Sequence, residues 1–329
     1  MENKKGNFLS LILKGALMGV AEVIPGVSGG TIAFITGIYE RLLNSIKSFD
    51  FSLVQTFREG GIKALWKAID GDFLSVLFLG MVSGVLVGTI FISYLLEQYP
   101  EPLWAFFFGL ILSSSIYIGR LIPKWDLAKV GLLVVGFLVA FGITQTIPIG
   151  GSTSAPMLIF SGAIAISALM LPGISGSFIL LLLGMYTIVI PALKGCLSDP
   201  SFDQFRILLL FGVGAIIGLV VFSRVLSWTF KRYRFPTFAI LTGFMLGSLF
   251  KIWPWRNPTL LMEKEHSKLI NNPSFQFFKD NPDLEFKVLS ELNVMPSEYL
   301  FGEPHVLPVV GSFILGLLSV LVLSRFDKS

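Results

Sequence analysis

The sequence predicts an all-α polytopic membrane protein of two inverted-topology repeats, each a re-entrant helical hairpin followed by three transmembrane helices. Three observations predict it. The 329-residue chain is 53% hydrophobic and only 14% charged, with a mean hydropathy of +0.78, whereas soluble domains carry about a quarter charged residues. Its apolar runs are too long and continuous for barrel strands. A Pro-Gly turn inside one such run, I-P-G-V-S-G-G-T at 24–31, returns as L-P-G-I-S-G-S-F at 171–178.

The second copy extends beyond the turn. Gly15 answers Gly162, Ala16 answers Ala163, Gly37 answers Gly184 and Tyr39 answers Tyr186, all at one offset. Pro removes a backbone donor and Gly admits conformations that break a helix. Broken backbone at membrane depth is tolerated only where it is buried in protein or lines a cavity. Related breaks in two related halves point to a binding site between them.

Taken in order, residues 8–23 are apolar but carry Lys14 and Glu22, and stop at Pro25. Residues 28–46 are expected to resume as one helix. Neither arm comfortably reaches the roughly 20 residues that cross a bilayer core. The pair is therefore read as a re-entrant hairpin, against the alternative of two tilted spanning helices. Residues 51–70 mix Leu53, Val54, Phe57, Leu65 and Trp66 with Arg58, Lys63 and Lys67, as a cytoplasmic interfacial helix or helix pair does. Spans are expected at 73–96, 103–118 and 130–147, the first with Gly80, Gly84 and Gly88 on a face suited to close packing. These elements make up the first repeat, 1–150.

The second repeat, 151–329, follows the same order: a hairpin at 157–193, then spans at 207–228, 236–252 and 306–323. Gly214 and Gly218 align with Gly84 and Gly88, Gly109 with Gly243, and Ser114 with Ser248. An insertion at 253–305, polar and with several Asp, Glu, Asn and Pro, separates the last two spans. It is expected to form a small extracytoplasmic cap or a partly ordered loop. The whole reads as one integral membrane domain.

Charge supports this topology. With Lys4 and Lys5 inside and neither hairpin crossing, the basic residues of 41–67 fall on one side. So do Arg120, Lys124, Lys129, Lys231, Arg232, Arg234, Arg325 and Lys328. The loops at 97–102 and 148–156 and the insertion fall on the other side, and both termini are expected to be cytoplasmic. The net charge of +4 is then a matter of topology, and no nucleic-acid partner is expected. The single cysteine, Cys196, excludes an intramolecular disulfide. His266 and His305 both lie in the insertion, so no metal and no other cofactor is expected. No cleavable signal peptide is expected either.

Each Pro-Gly turn precedes a helix start, where backbone N–H groups are unsatisfied and the dipole is positive. Pro25, Gly26, Ser28, Gly29, Gly30 and Thr31 from one side, and Pro172, Gly173, Ser175, Gly176 and Ser177 from the other, form the expected phosphate-binding set. Glycine there lets an anion reach the backbone. Simple capping and tight packing is the alternative use of the same residues. Glu22 is a carboxylate inside an apolar arm, costly to keep and suited to take up a proton. It is the candidate for coupling or gating, with an ion pair to Lys14 or another base as the alternative. Lys14, Arg120 and Arg224 are candidate charge partners for the phosphate, although both arginines lie at helix ends where snorkelling serves as well. No catalytic residue is expected, because neither motif holds a His or Arg to assist a serine. These residues alone give an anion site between the two halves, and a transporter, a membrane phosphatase and an anion channel stay open.

K-G-A-L-M-G-V-A-E-V-I-P-G-V-S-G-G-T (14–31) and L-P-G-I-S-G-S (171–177) resemble a bacterial membrane family long catalogued as a domain of unknown function. That family is now linked to polyprenyl-phosphate translocation (the PopT type), and the resemblance covers nearly the whole chain. It implies a flippase-like transporter rather than an enzyme. Such a protein would return undecaprenyl phosphate from the outer to the inner leaflet of the bacterial cytoplasmic membrane. The lipid carrier is thereby recycled for peptidoglycan and other envelope polymers. Undecaprenyl phosphate or a related polyprenyl phosphate, and membrane lipids, are the partners this implies; a homodimer is left open.

Overall fold

The computed structural model describes residues 2–24, 27–146, 150–198, 201–263, 269–280, 286–300 and 303–323. Pro25, Gly26, His266, Arg325 and Lys328 lie outside the described residues. The chain opens with α1 (Glu2–Val23), α2 (Gly29–Ile35), α3 (Tyr39–Lys47), α4 (Ser52–Ala68), α5 (Gly71–Gln98), α6 (Pro100–Arg120) and α7 (Leu127–Gln145). It continues with α8 (Ala155–Met170), α9 (Gly176–Leu182), α10 (Tyr186–Ser198), α11 (Phe202–Arg232) and α12 (Arg234–Ser248), which runs on as a 3₁₀ turn to Ile252. Then come β1 (Arg256–Glu263), β2 (Leu269–Asn271), α13 (Phe275–Asp280), β3 (Phe286–Asn293) and α14 (Val306–Leu323).

Among the described residues, five helices are long and apolar enough to cross a membrane: α5, α6, α7, α11, and α12 with its 3₁₀ turn. α8 is a shorter apolar helix, as is α14 over Val306–Val320, while α9 and α10 are bent against each other by 111°. The expectation of a single helix over 28–46 is corrected. Gly37 takes φ 72° and splits it into α2 and α3, and its counterpart Gly184 takes φ 66° and splits α9 from α10. Glycine adopts that left-handed conformation without the steric cost other residues bear. Each hairpin therefore has three pieces. α4 also divides, at Gly61 with φ 64°, as the helix-pair reading of 51–70 allowed.

Small residues set the helix pairs. Lipid supplies no hydrophobic drive between helices, so backbones must approach closely to gain dispersion energy. Gly15 lies against Leu77 O, Gly80 against Ile12 O and Gly84 against Ala16 O, which joins α1 to α5. Gly162 lies against Phe211 O, Gly214 against Ile159 O and Gly218 against Ala163 O, which joins α8 to α11 in the same pattern. These contacts correct the alignment by one turn: Gly214 and Gly218 answer Gly80 and Gly84, not Gly84 and Gly88. The remaining pairs exchange partners between the halves. Gly109 meets Phe313 O and Gly316 meets Phe106 O, joining α6 to α14. Gly243 meets Leu133 O and Gly136 meets Ile240 O, joining α12 to α7.

α6 and α12 are the most buried of the five spans, and α7 and α11 face outward with exposed Val134, Leu138, Leu209 and Ile216. The core runs through Ile24, Ile35, Ile111, Leu241, Met245 and Ile252. The insertion is where the all-α expectation fails. It holds a three-stranded antiparallel sheet of order β2-β1-β3. The sheet region is tied to the bundle by polar bonds. Trp253 Nε1 donates to Val294 O at 2.8 Å, Asn293 Nδ2 to Phe250 O at 2.8 Å, and Tyr299 OH to Glu101 Oε1 at 2.6 Å.

Candidate functional site

The two motifs meet. Ser28 Oγ donates to Leu169 O at 3.1 Å, Gly173 N donates to Thr31 Oγ1 at 3.0 Å, and Tyr39 OH donates to Met170 O at 2.6 Å. Ser28, Thr31 and Ser175 are all buried. Gly173 takes φ 86°, and a Cβ there would come within 2.8 Å of Met245 Cα on α12. The breaks of the two hairpins thus lock into each other and against α12 in the interior. A buried backbone donor left without a partner costs about 1–3 kcal/mol. Thr31→Val, which orphans the Gly173 N–H, is expected to destabilise the protein by that amount. A melting temperature in detergent equal to that of the parent would show the bond to be dispensable.

The two helix starts differ. At α2, Gly29 N donates to Glu22 Oε1 at 2.7 Å, Gly30 N donates to Ser28 Oγ at 3.1 Å, and Thr31 N donates to Ser28 O at 2.9 Å. The amides expected to receive a phosphate are here occupied by the protein's own carboxylate and hydroxyl. At α9, Leu169 stands where Glu22 would, and Ser175 makes no cap bond; its Oγ lies 2.8 Å from Ser177 Oγ instead. One start is filled by the Glu22 side chain, and the other has no such group.

Of the proposed charge partners, Lys14 Nζ donates to Thr36 O at 2.9 Å at the end of α2. Arg120 and Arg224 are not brought to the motifs. Arg120 closes α6 in its last turn, and Arg224 is exposed on α11, where its charge acts on Asp50. Asp50 is held below the usual carboxylate range, first by the hydroxyl and backbone N–H of Ser52 and last by Arg224 and Lys47. Arg120, in the last turn of α6, reaches water readily as long basic side chains at helix ends do. Arg224 lies about two turns inside the end of α11 on its exposed side, so the helix-end expectation is corrected for Arg224.

Two crevices open at opposite ends of α12. At its start, a cavity of about 330 Å³ is lined by Phe34, Gly37, Tyr39, Tyr117 and Phe238, and by Glu40 and Arg234. Those last two pair at 2.9 Å. At its far end, under the sheet, a cavity of about 120 Å³ is lined by residues that include Thr144, Phe178, Lys251, Ser290 and Glu291. A narrower crevice that shares Thr144, Phe178 and Lys251 continues to Gly173 and Ser175. The motif contact lies between these openings. Tyr39, Arg234 and Lys251 were not among the site residues expected from the sequence. Tyr39 had a signal in its repeat at Tyr186, whereas Lys251 reads as an ordinary basic flank of an apolar run.

A family model described as undecaprenyl phosphate translocase-like matches residues 18–270. A polyprenyl-phosphate transporter of Vibrio cholerae serotype O1 is 43% identical over 317 residues, which cover 96% of this chain and 98% of the relative. A polyprenyl-phosphate transporter of Staphylococcus aureus is 31% identical over 264 residues, covering 76% and 88% respectively. No solved structure matches the chain.

Proposed function

The chain belongs to the undecaprenyl phosphate translocase-like family, and on that basis we propose that it carries undecaprenyl phosphate across the bacterial cytoplasmic membrane as a flippase-like transporter. The observation that carries the mechanism is the contact of two broken hairpins between crevices at opposite ends of α12. The phosphate binds where the hairpins meet, with Ser28, Thr31, Ser175 and Ser177 as hydroxyl partners, while the polyprenyl tail stays in lipid. Alternating access opens one crevice and closes the other around this fixed point.

Two inverted repeats underlie the exchange. The recurrence of the α1–α5 glycine contacts in α8–α11, and the partner swap of α6–α14 with α12–α7, support that relation. Three spans in the first half and, with the shorter α14 crossing beside α11 and α12, three in the second would place the halves in opposite orientations and gather the basic residues on one side. Both termini are then cytoplasmic and the sheet lies outside. Glu22 couples the cycle: its carboxylate fills the α2 start until a proton neutralises it and frees the Gly29 amide for the headgroup. No phosphate bond is broken in this scheme, and the chain acts as a carrier rather than a phosphatase.

The test reconstitutes purified protein in liposomes containing undecaprenyl phosphate and follows leaflet exchange and free phosphate together. Exchange without phosphate release is expected. Release from the pyrophosphate form without exchange would make the protein a phosphatase, and inorganic anion flux without lipid movement would make it a channel. Ser28→Ala combined with Ser175→Ala is expected to weaken headgroup binding about a hundredfold, as loss of two hydroxyl partners to a charged ligand, each about 1.5 kcal/mol or more, implies. Unchanged binding in the folded double variant would reject the two-motif site.

A further inference from the structure

Lys251 has no role in the scheme above. It sits in the 3₁₀ turn that ends the α12 span, with its side chain 30% exposed and its Nζ 4.9 Å from the centre of the Phe178 ring. A lysine at a span end ordinarily reaches outward to water. This one faces the cavity beneath the sheet. Glu291 of β3 is 3.6 Å away, beyond good hydrogen-bond range. That carboxylate is committed elsewhere, because Arg256 Nη1 donates to it at 2.8 Å. Arg256 is itself held in place: it donates to Lys251 O at 3.1 Å and stacks on Trp104 at 4.6 Å. The next acid of this region, Glu101, accepts from Tyr299 OH at 2.6 Å and lies 3.9 Å from His305 Nδ1.

Among the described residues Lys251 therefore meets one carboxylate, Glu291, in a long ion pair; the Glu291 Oε2 already accepts from Arg256, and the three lysine donors are only loosely engaged. The cavity it faces, about 120 Å³, is well above the roughly 10–15 Å³ that admits a single water. Ser290 adds a hydroxyl to its wall that accepts from Thr259 Oγ1 at 3.0 Å and keeps its own proton for a ligand. Thr144 Oγ1 donates to Phe141 O at 2.7 Å, and Phe178 leads from the cavity to Ser175 and Gly173. A compact ammonium under partial burial, beside the Ser290 hydroxyl and only loosely paired with Glu291, suits a small dianion. A phosphomonoester brings more charge and more acceptor oxygens than the glutamate it would meet.

We propose that Lys251, with the hydroxyl of Ser290, forms a phosphomonoester subsite on the sheet side of the protein, and that Glu291 is the internal carboxylate the phosphate displaces. The subsite rests on the transport reading and adds the residue that captures the headgroup before it reaches Ser175. Displacement leaves Glu291 bonded to Arg256, so no buried carboxylate is orphaned. The arrangement echoes Glu22 at α2: at each place a protein carboxylate stands where the ligand is to bind.

The test titrates full-length protein in detergent with farnesyl phosphate and, separately, with inorganic phosphate. Lys251→Gln is expected to weaken farnesyl phosphate binding about tenfold, the scale of one charge-assisted contact. Lys251→Arg is expected to restore most of it, and Glu291→Gln to tighten it by about threefold to tenfold as competition for the ammonium ends. Melting temperatures establish that each variant is folded. Should Lys251→Gln destabilise the sheet, the Glu291→Gln titration decides alone. Unchanged affinity in Lys251→Gln, or no gain in Glu291→Gln, overturns the subsite while leaving transport standing. Wild-type protein that neither binds farnesyl phosphate nor exchanges lipid would instead remove the transport reading. Inorganic phosphate binding as tightly as farnesyl phosphate, and lost in Lys251→Gln, would assign the cavity to free phosphate and overturn its headgroup role.

Discussion

Glu22→Gln is expected to slow leaflet exchange about tenfold and to flatten its dependence on pH. The substitution keeps the shape of the side chain and an oxygen facing the Gly29 amide, 2.7 Å away in the parent. It removes the charge that makes this bond strong, since hydrogen bonds to charged groups contribute about 1.5–3 kcal/mol against about 1 for neutral ones. It also removes the proton acceptor. In the parent, lowering the pH protonates the carboxylate, loosens its hold on the Gly29 amide and favours phosphate at that position; raising the pH restores the block. The glutamine variant lacks this exchange at every pH. Exchange rates in liposomes at a series of pH values, for parent and variant, measure it. A parental pH profile in Glu22→Gln would confine Glu22 to a capping role at α2.

Gly173→Ala is expected to abolish exchange and to destabilise the fold by about 2–5 kcal/mol. Two costs combine. A left-handed φ, 86° at this residue, costs a residue with a Cβ about 1–2 kcal/mol. The added Cβ would also lie 2.8 Å from Met245 Cα and 2.9 Å from Met245 N, and backbone cannot swing aside as a side chain can. Overpacking of this kind costs about 1–3 kcal/mol. Any shift that relieves the clash pulls the Gly173 N–H away from Thr31. Gly142→Ala, with nothing within 4 Å of its Cβ, is the matched control and is expected to be neutral or slightly stabilising. Melting curves and exchange rates of the two variants provide the comparison, and equal behaviour would show that the contact with α12 is not tight.

The hairpin breaks were legible because Pro and Gly inside an apolar run have few uses in lipid, and because the break recurred. The meeting of the motifs was legible for the same reason. The second break in each hairpin was harder to see. Gly37 and Gly184 were visible as a repeated pair, but the apolar pattern runs on through both, and only the backbone φ separates a tolerated helical glycine from a left-handed one. The slip in aligning α11 with α5 has a simple origin. Three glycines spaced by four face two with the same spacing, so adjacent turns fit equally well until the facing carbonyls are known. The strands of the insertion were hidden by their length and composition, since Pro258 interrupts a short run that includes Asn257 and Glu263. Arg120 and Arg224 failed as phosphate partners, and Lys251 was overlooked, for one shared reason. The charge of a cation on a span is plain in sequence, but whether it turns outward or inward depends on what folds over it.

The partner exchange of the central helices bears on how the protein is made. α6 and α7 find their glycine-lined mates only in α14 and α12. At synthesis rates of about 5–20 residues per second, α14 emerges roughly 10–40 s after α6 is complete. Through that interval the close-packing face of α6 must wait in the bilayer without its native neighbour, and that of α7 waits about half as long, until α12 arrives. The amino-terminal half therefore cannot mature ahead of the carboxyl-terminal half, and assembly is completed only when the last helix arrives. A chain that stops short of α14 would leave α6 unmatched, a defect that quality-control proteases could recognise without any error in the motifs themselves.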